Sequence, residues 1–114
     1  MSRTGSAADA RLTKAAPVFA ALGDPTRLRV VARLSADGPL SITRLSAGAT
    51  VTRQAITKHL RVLERAKIVR SVRAGRENLF EFHPEPLNEL RSYLDLVSEQ
   101  WDLALFRLKS FVER

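Results

Sequence analysis

The sequence predicts a mainly α-helical fold with one small β-hairpin and a long last helix. Three observations carry this prediction. Apolar residues recur at helical spacing, most clearly Ile56, Leu60 and Leu63 at i, i+4 and i+7. The stretch 68–82 switches to two short β-prone runs flanking Ala74-Gly75-Arg76. The stretch from Leu87 to Val112 carries an unbroken apolar stripe. At 114 residues the chain is one domain with a modest single core, and 45% hydrophobic content argues for a folded chain.

The first ten residues, MSRTGSAADA, hold no apolar signal core, which argues against export. They read as a flexible arm, 1–10, ahead of a domain spanning 11–114. Leu12, Phe19, Ala20 and Leu22 place a helix next, with its firm part starting near Pro17, because proline suits a first turn and breaks an interior. Gly23 ends it. Asp24-Pro25 restarts the chain, with Asp as cap and Pro at the first helical position. The second helix, about 25–36, buries Leu28, Val31 and Leu34 or their near neighbours, and Asp37-Gly38-Pro39 stops it. Ser41 caps a short third helix, with Leu40 and Leu45 at the positions of a hydrophobic staple. After Gly48-Ala49-Thr50 the device repeats, with Thr52 as cap and Val51 and Ile56 as staple.

Two short helices joined by a tight turn, at about 41–65, make a helix-turn-helix. The hairpin at about 68–82 is its wing, and the last helix runs over about 87–112. The last helix has two apolar faces. One carries Leu90, Leu94, Val97, Trp101, Leu105 and Leu108; the other carries Tyr93, Leu96, Leu103 and Phe106. A core this small covers only one of them, so part of the helix packs against another subunit. Leu12 and Phe19 join Leu90, Leu94, Val97, Trp101, Leu105 and Leu108 as the expected dimer interface. Which face is core and which is interface stays open.

Charge points to a polyanionic partner: 19 Lys and Arg stand against 12 Asp and Glu, a formal net charge of +7. There is no cysteine, which excludes disulfides, thiol catalysis and thiolate metal sites. No apolar run approaches the roughly 20 residues of a membrane span. No nucleophile–base pair, phosphate loop or metal cluster suggests an enzyme, and nothing implies a cofactor.

The second helix of the helix-turn-helix carries Arg53, Gln54, Thr57, Lys58 and Arg61 opposite its apolar stripe, with no acid before Glu64. Arg engages guanine and Gln engages adenine, so Arg53 and Gln54 are the expected base readers of double-stranded DNA. Thr52, Thr57, Lys58 and Arg61 are expected on phosphates. His59 sits at the edge of the buried stripe, either as a structural histidine or as a phosphate contact. Arg73 and Arg76 in the wing are expected on the DNA backbone or minor groove; the plainer reading is surface charge that blunts a hairpin edge.

Two motifs carry a resemblance. FAALGDPTRLRVVARL, 19–34, resembles the A-L-x-D-P-T-R-x-x-I/V-x-x-L opening of the ArsR/SmtB-type winged-helix repressors. TRQAITKHLRVLERAKIVRSVRAGRENLFEF, 52–82, is similar to that family's S-x-x-A-V-S-x-H-L-x-x-L-x-x-A-G-L-V and wing. The ending HPEPLNEL…WDLALFRLKSFVE resembles the branch with a Trp followed by L-x-x-L-K-x-F-V/L-E. The resemblance implies a cytoplasmic, homodimeric repressor on an inverted-repeat operator, with the recognition helix in the major groove.

Four departures stand out. Ala49-Thr50-Val51 replaces a common Leu-Gly-Leu, and Lys67 replaces a common Gly. The stretch 40–45 lacks the cysteines with which many members hold metal. The last helix has Asp95 and Asp102 but no histidine for the other known set. The branch implied is one without a metal-sensing site. A small effector fits this picture without being named by it. The competing reading is a protein-interaction module built on the apolar last helix.

Overall fold

A computed structural model describes residues 7–113. Five helices and one antiparallel hairpin follow in the order α1 (Ala7–Leu22), α2 (Pro25–Asp37), α3 (Ile42–Ser46), α4 (Arg53–Arg65), β1 (Val69–Ala74), β2 (Glu77–Phe82) and α5 (Glu85–Val112). The mainly helical, winged helix-turn-helix fold class is the one the sequence predicts. The core gathers Val18 and Ala21 from α1, Val30, Val31 and Leu34 from α2, and Leu45 from α3. Ile56, Leu60 and Leu63 from α4 join them, with Ile68, Val69 and Phe80 from the wing.

Local chemistry sets most boundaries. Asp24 accepts hydrogen bonds from the amides of Thr26 at 2.9 Å and Arg27 at 3.1 Å, capping α2. Ser41 accepts from the Arg44 amide at 3.2 Å, and Thr52 from the Ala55 amide at 3.0 Å, capping α3 and α4 in the same way. The left-handed position that opens the turn between α3 and α4 is taken by Gly48, at φ 73°. That explains why Ala49-Thr50-Val51 needs no glycine of its own.

The end of α4 is a Schellman motif. The Ile68 amide donates to the Leu63 carbonyl at 3.0 Å, and the Lys67 amide to that of Glu64 at 2.9 Å. Lys67 therefore stands at φ 63°, where a Cβ costs about 1–2 kcal/mol. The wing pairs Val69 with Phe82 through Ala74 with Glu77, which leaves a two-residue Gly75-Arg76 turn. Gly75 takes φ 64° and Arg76 does not turn positive, the pattern of a type II′ hairpin.

Packing corrects or completes four readings. First, α1 already runs from Ala7 with Pro17 inside it, so 7–10 are helical, whereas 1–6 lie outside the described residues. An interior proline costs about 3 kcal/mol. Burial of Ala15, Val18 and Ala21, with α1 packed along α5, offsets that cost. Second, Leu28 is half exposed, and α2 buries Val30 beside Val31 and Leu34 instead. Third, Leu40 does more than staple: it exchanges both backbone hydrogen bonds with Phe80, at 3.1 and 2.8 Å, and so ties the entry of α3 to the wing. Fourth, Leu90, expected at a dimer interface, packs with Leu87 against the core of its own chain.

The last helix divides in two. Its first half lies along α1, where Phe19 and Tyr93 meet edge to face with centroids 6.2 Å apart. No residue of α5 is buried, and from Glu99 onward every described position is exposed.

Candidate nucleic-acid interface

The candidate interface is built on α4. At about 100° per residue, Arg53, Thr57, Arg61, Gln54 and Lys58 share one half of the helix, and Ile56, Leu60 and Leu63 share the other. The three apolar residues are at most 2% exposed, which fixes the helix rotation and turns the polar half outward. Arg53, Gln54, Lys58 and Arg61 are exposed; Thr57 is half-buried, and its hydroxyl donates to the Arg53 carbonyl at 2.9 Å. The Thr52 hydroxyl accepts the capping bond and keeps its own proton for an outside acceptor.

Arg53 does not stand free. Its Nη1 donates to Thr43 Oγ1 of α3 at 2.7 Å. Ser41, Ile42, Thr43 and Arg53 line a hollow shared with Glu77 and Asn78 at the start of β2. Thr43 and Asn78 are therefore candidate contacts that sequence reading missed. Neither has a periodic or motif signal; only the bridge between Leu40 and Phe80 brings them beside Arg53. In the wing, Arg73 and Arg76 are exposed, and Arg73 Nε donates to the Gly75 carbonyl at 3.3 Å.

His59 departs from this face. It projects toward α2, where its Nδ1 lies 3.1 Å from Arg27 Nη1 and 3.8 Å from Asp24 Oδ2. A guanidinium only donates, so in the neutral imidazole Nδ1 is the acceptor and Nε2 carries the proton. Arg27 Nε also donates to the Ala21 carbonyl. Rotation favours the structural role of the two: once Ile56, Leu60 and Leu63 are buried, His59 falls on the flank away from Arg53 and Gln54. The hydrogen bond from the Arg27 amide, foremost, holds the Asp24 carboxyl below the usual carboxylate value, with burial opposing; the Thr26 amide and the charges of His59 and Arg27 also lower it.

An exposed basic half-helix, capped and set against a wing, is what double-stranded DNA accommodates in its major groove. Residues 22–72 match the family of helix-turn-helix domains. An uncharacterized HTH-type transcriptional regulator of Bacillus subtilis, YuzN, is 40% identical over 79 residues, covering 64% of this chain and 86% of that protein. An ArsR-like transcriptional regulator from Rhodococcus superposes with a TM-score of 0.75 at 33% identity, covering 90% of this chain and 95% of that one. The chain belongs to the ArsR-type winged helix-turn-helix transcriptional regulators.

The fold of this regulator extends to more distant relatives. The winged helix-turn-helix domain of Mb0332 from Mycobacterium bovis, described as homodimeric, superposes with a TM-score of 0.62 at 20% identity over 88% of this chain and 92% of that one. The matched helix-turn-helix domain and the Bacillus subtilis relative make the chain a transcriptional regulator with a DNA-binding domain. Among the described residues no helix is long and apolar enough to cross a membrane.

The expected dimer residues of the regulator fall into two sets. Leu94, Trp101, Leu105 and Leu108 are exposed, at 46%, 62%, 53% and 59%. Leu12 and Phe19 on α1 are exposed at 43% and 38%. Val97 is half-buried, and Leu90 belongs to the core side as above.

Proposed function

We propose that the regulator is a cytoplasmic homodimeric repressor that occupies an inverted-repeat operator without a metal switch. The observation that carries this is the outward half of α4, held in place by the buried stripe behind it and by Thr43 beside it. Arg53 and Gln54 read base edges; Thr52, Thr57, Lys58 and Arg61 hold phosphates; Arg73 and Arg76 bring the wing to the neighbouring backbone or minor groove. Two-fold symmetry puts the recognition helices about 34–36 Å apart, in successive major grooves.

Homodimerisation is supported by the apolar surface that one chain leaves uncovered on α1 and the far half of α5, and by the homodimeric Mycobacterium bovis neighbour. The reading without a metal switch rests on ligand chemistry. The chain has no cysteine, and its two histidines are engaged elsewhere, His59 with Arg27 and His83 with Glu81 at 3.1 Å.

Footprinting on the DNA upstream of the regulator's own gene, with sedimentation of the pure protein, tests the proposal. The expected result is a protected inverted repeat and a stable dimer. A monomer that protects no repeat would instead favour a protein-interaction module on the exposed far half of α5.

A further inference from the structure

A cavity of about 450 Å³ opens behind the helix-turn-helix, between α2 and the turn that joins α3 to α4. Its floor is apolar: Val30, Leu45, Val51 and Ile56. Its volume lies within the roughly 300–1,000 Å³ of small-molecule sites. Ile56 belongs to the buried half of α4, and none of Arg53, Gln54, Thr57, Lys58 and Arg61 lines the cavity. It is not part of the face proposed for DNA.

Charge selects the occupant. Arg29 and Arg33 of α2 line the cavity, and no Asp or Glu does. Arg33 is engaged: its Nη1 donates to the Arg44 carbonyl at 3.1 Å, and its Nε lies 3.7 Å from Asp37. Arg29 is exposed and has no acceptor among the described residues. A cation without a partner over an apolar floor fits a small amphipathic anion, and a guanidinium matches a carboxylate in two parallel hydrogen bonds.

We propose that this cavity binds a small organic carboxylate, its apolar body on Val30, Leu45, Val51 and Ile56 and its carboxylate on Arg29. A body seated there presses on Val51, next to the Thr52 cap, and on Ile56, in the first turn of α4. Occupancy therefore changes how α4 meets DNA; this second half rests on the DNA-binding reading above.

The experiment titrates the ¹⁵N-labelled full chain with benzoate, phenylacetate and octanoate, following backbone amides by NMR. The expected result is saturable shifts at Gly48, Ala49 and Thr50 with at least one carboxylate. Binding weakens about tenfold or more with the matching neutral amide and in Arg29→Gln, and partly returns in Arg29→Lys. Arg29 is exposed, so these variants keep the fold, which the same spectra verify. No saturable shift at the turn with any of the three, or equal binding by Arg29→Gln, overturns the site. This arm contains no DNA, so its failure is distinct from failure to find an operator. In the second arm the bound carboxylate changes operator affinity for the unaltered protein and not for Arg29→Gln; an unchanged affinity overturns the coupling. If the unaltered protein instead binds none of the carboxylates and Arg29→Gln lowers the slope of log affinity against log salt by about one unit, Arg29 is a phosphate contact and the site is overturned.

Discussion

Helices α4 and α5 carry the same sequence signal, an apolar stripe at helical spacing, and meet opposite fates. In α4, Ile56, Leu60 and Leu63 are 2%, 1% and 0% exposed. In α5 no residue is buried, and Trp101, Phe106 and Phe111 are 62%, 67% and 70% exposed. The difference is what the chain offers as cover. Four elements surround α4: α1, α2, α3 and β1. Helix α5 has 28 residues, about 42 Å, and its main cover is α1, with 16 residues, about 24 Å. An apolar stripe thus says that something must cover a face. It does not say whether that cover comes from the same chain.

The contrast can be broken from either side. Leu63→Ala, in the covered stripe, should lower the unfolding free energy by about 2–5 kcal/mol, measured by urea denaturation. The pair Trp101→Glu and Leu105→Glu, in the uncovered stripe, should leave the helical circular dichroism intact and weaken dimerisation by at least about 2 kcal/mol in sedimentation. Loss of the fold in that double variant would place those residues in the protomer's own core.

The polar half of α4 sharpens the comparison, because burial of one half is what exposes the other. Arg53→Ala should lose about 1–3 kcal/mol of operator affinity and relax preference at one base pair per half-site, read by titrating operator variants. Uniform weakening over all sequences would make Arg53 a phosphate contact. At the end of the same helix, Lys67→Gly should raise stability by about 1 kcal/mol by removing the left-handed lysine, with the Schellman bonds kept.

The smallest effect compares helix starts. Asp24 caps α2, whereas α5 follows Pro84 with no side-chain cap. The folded pKa of Asp24 is depressed, so its contribution is present above the ordinary carboxylate value and is lost as pH falls through the lowered one. Asp24→Asn should therefore flatten the acid limb of stability against pH below about pH 4, followed by thermal unfolding. An unchanged limb would show that other carboxylates set it.

Local features were legible in advance. Asp24, Ser41 and Thr52 were identified as caps, and each accepts the expected amide bonds, because a cap involves residues within one turn. The glycine hairpin turn and the outward face of α4 follow from the same short-range rules. What the structure adds or corrects has a different cause. Pro17 inside α1, Leu40 paired with Phe80, His59 turned to Arg27 and Leu90 spent on the core all depend on partners many positions away. Lys67 in the left-handed region was visible as a departure from glycine, but its strain became evident only with the backbone in place.

By itself the sequence determined the helix caps, the order of elements, the rotation of α4 and the family resemblance of the chain. Each is set by side-chain period or by bonds within a few residues. Only the tertiary structure decided which apolar residues the protomer covers, that Thr43 and Asn78 stand beside Arg53, and that a cavity lined by Arg29, unpartnered among the described residues, lies behind the helix-turn-helix. Those depend on long-range packing, where one helix pattern is compatible with several neighbours until the core selects among them.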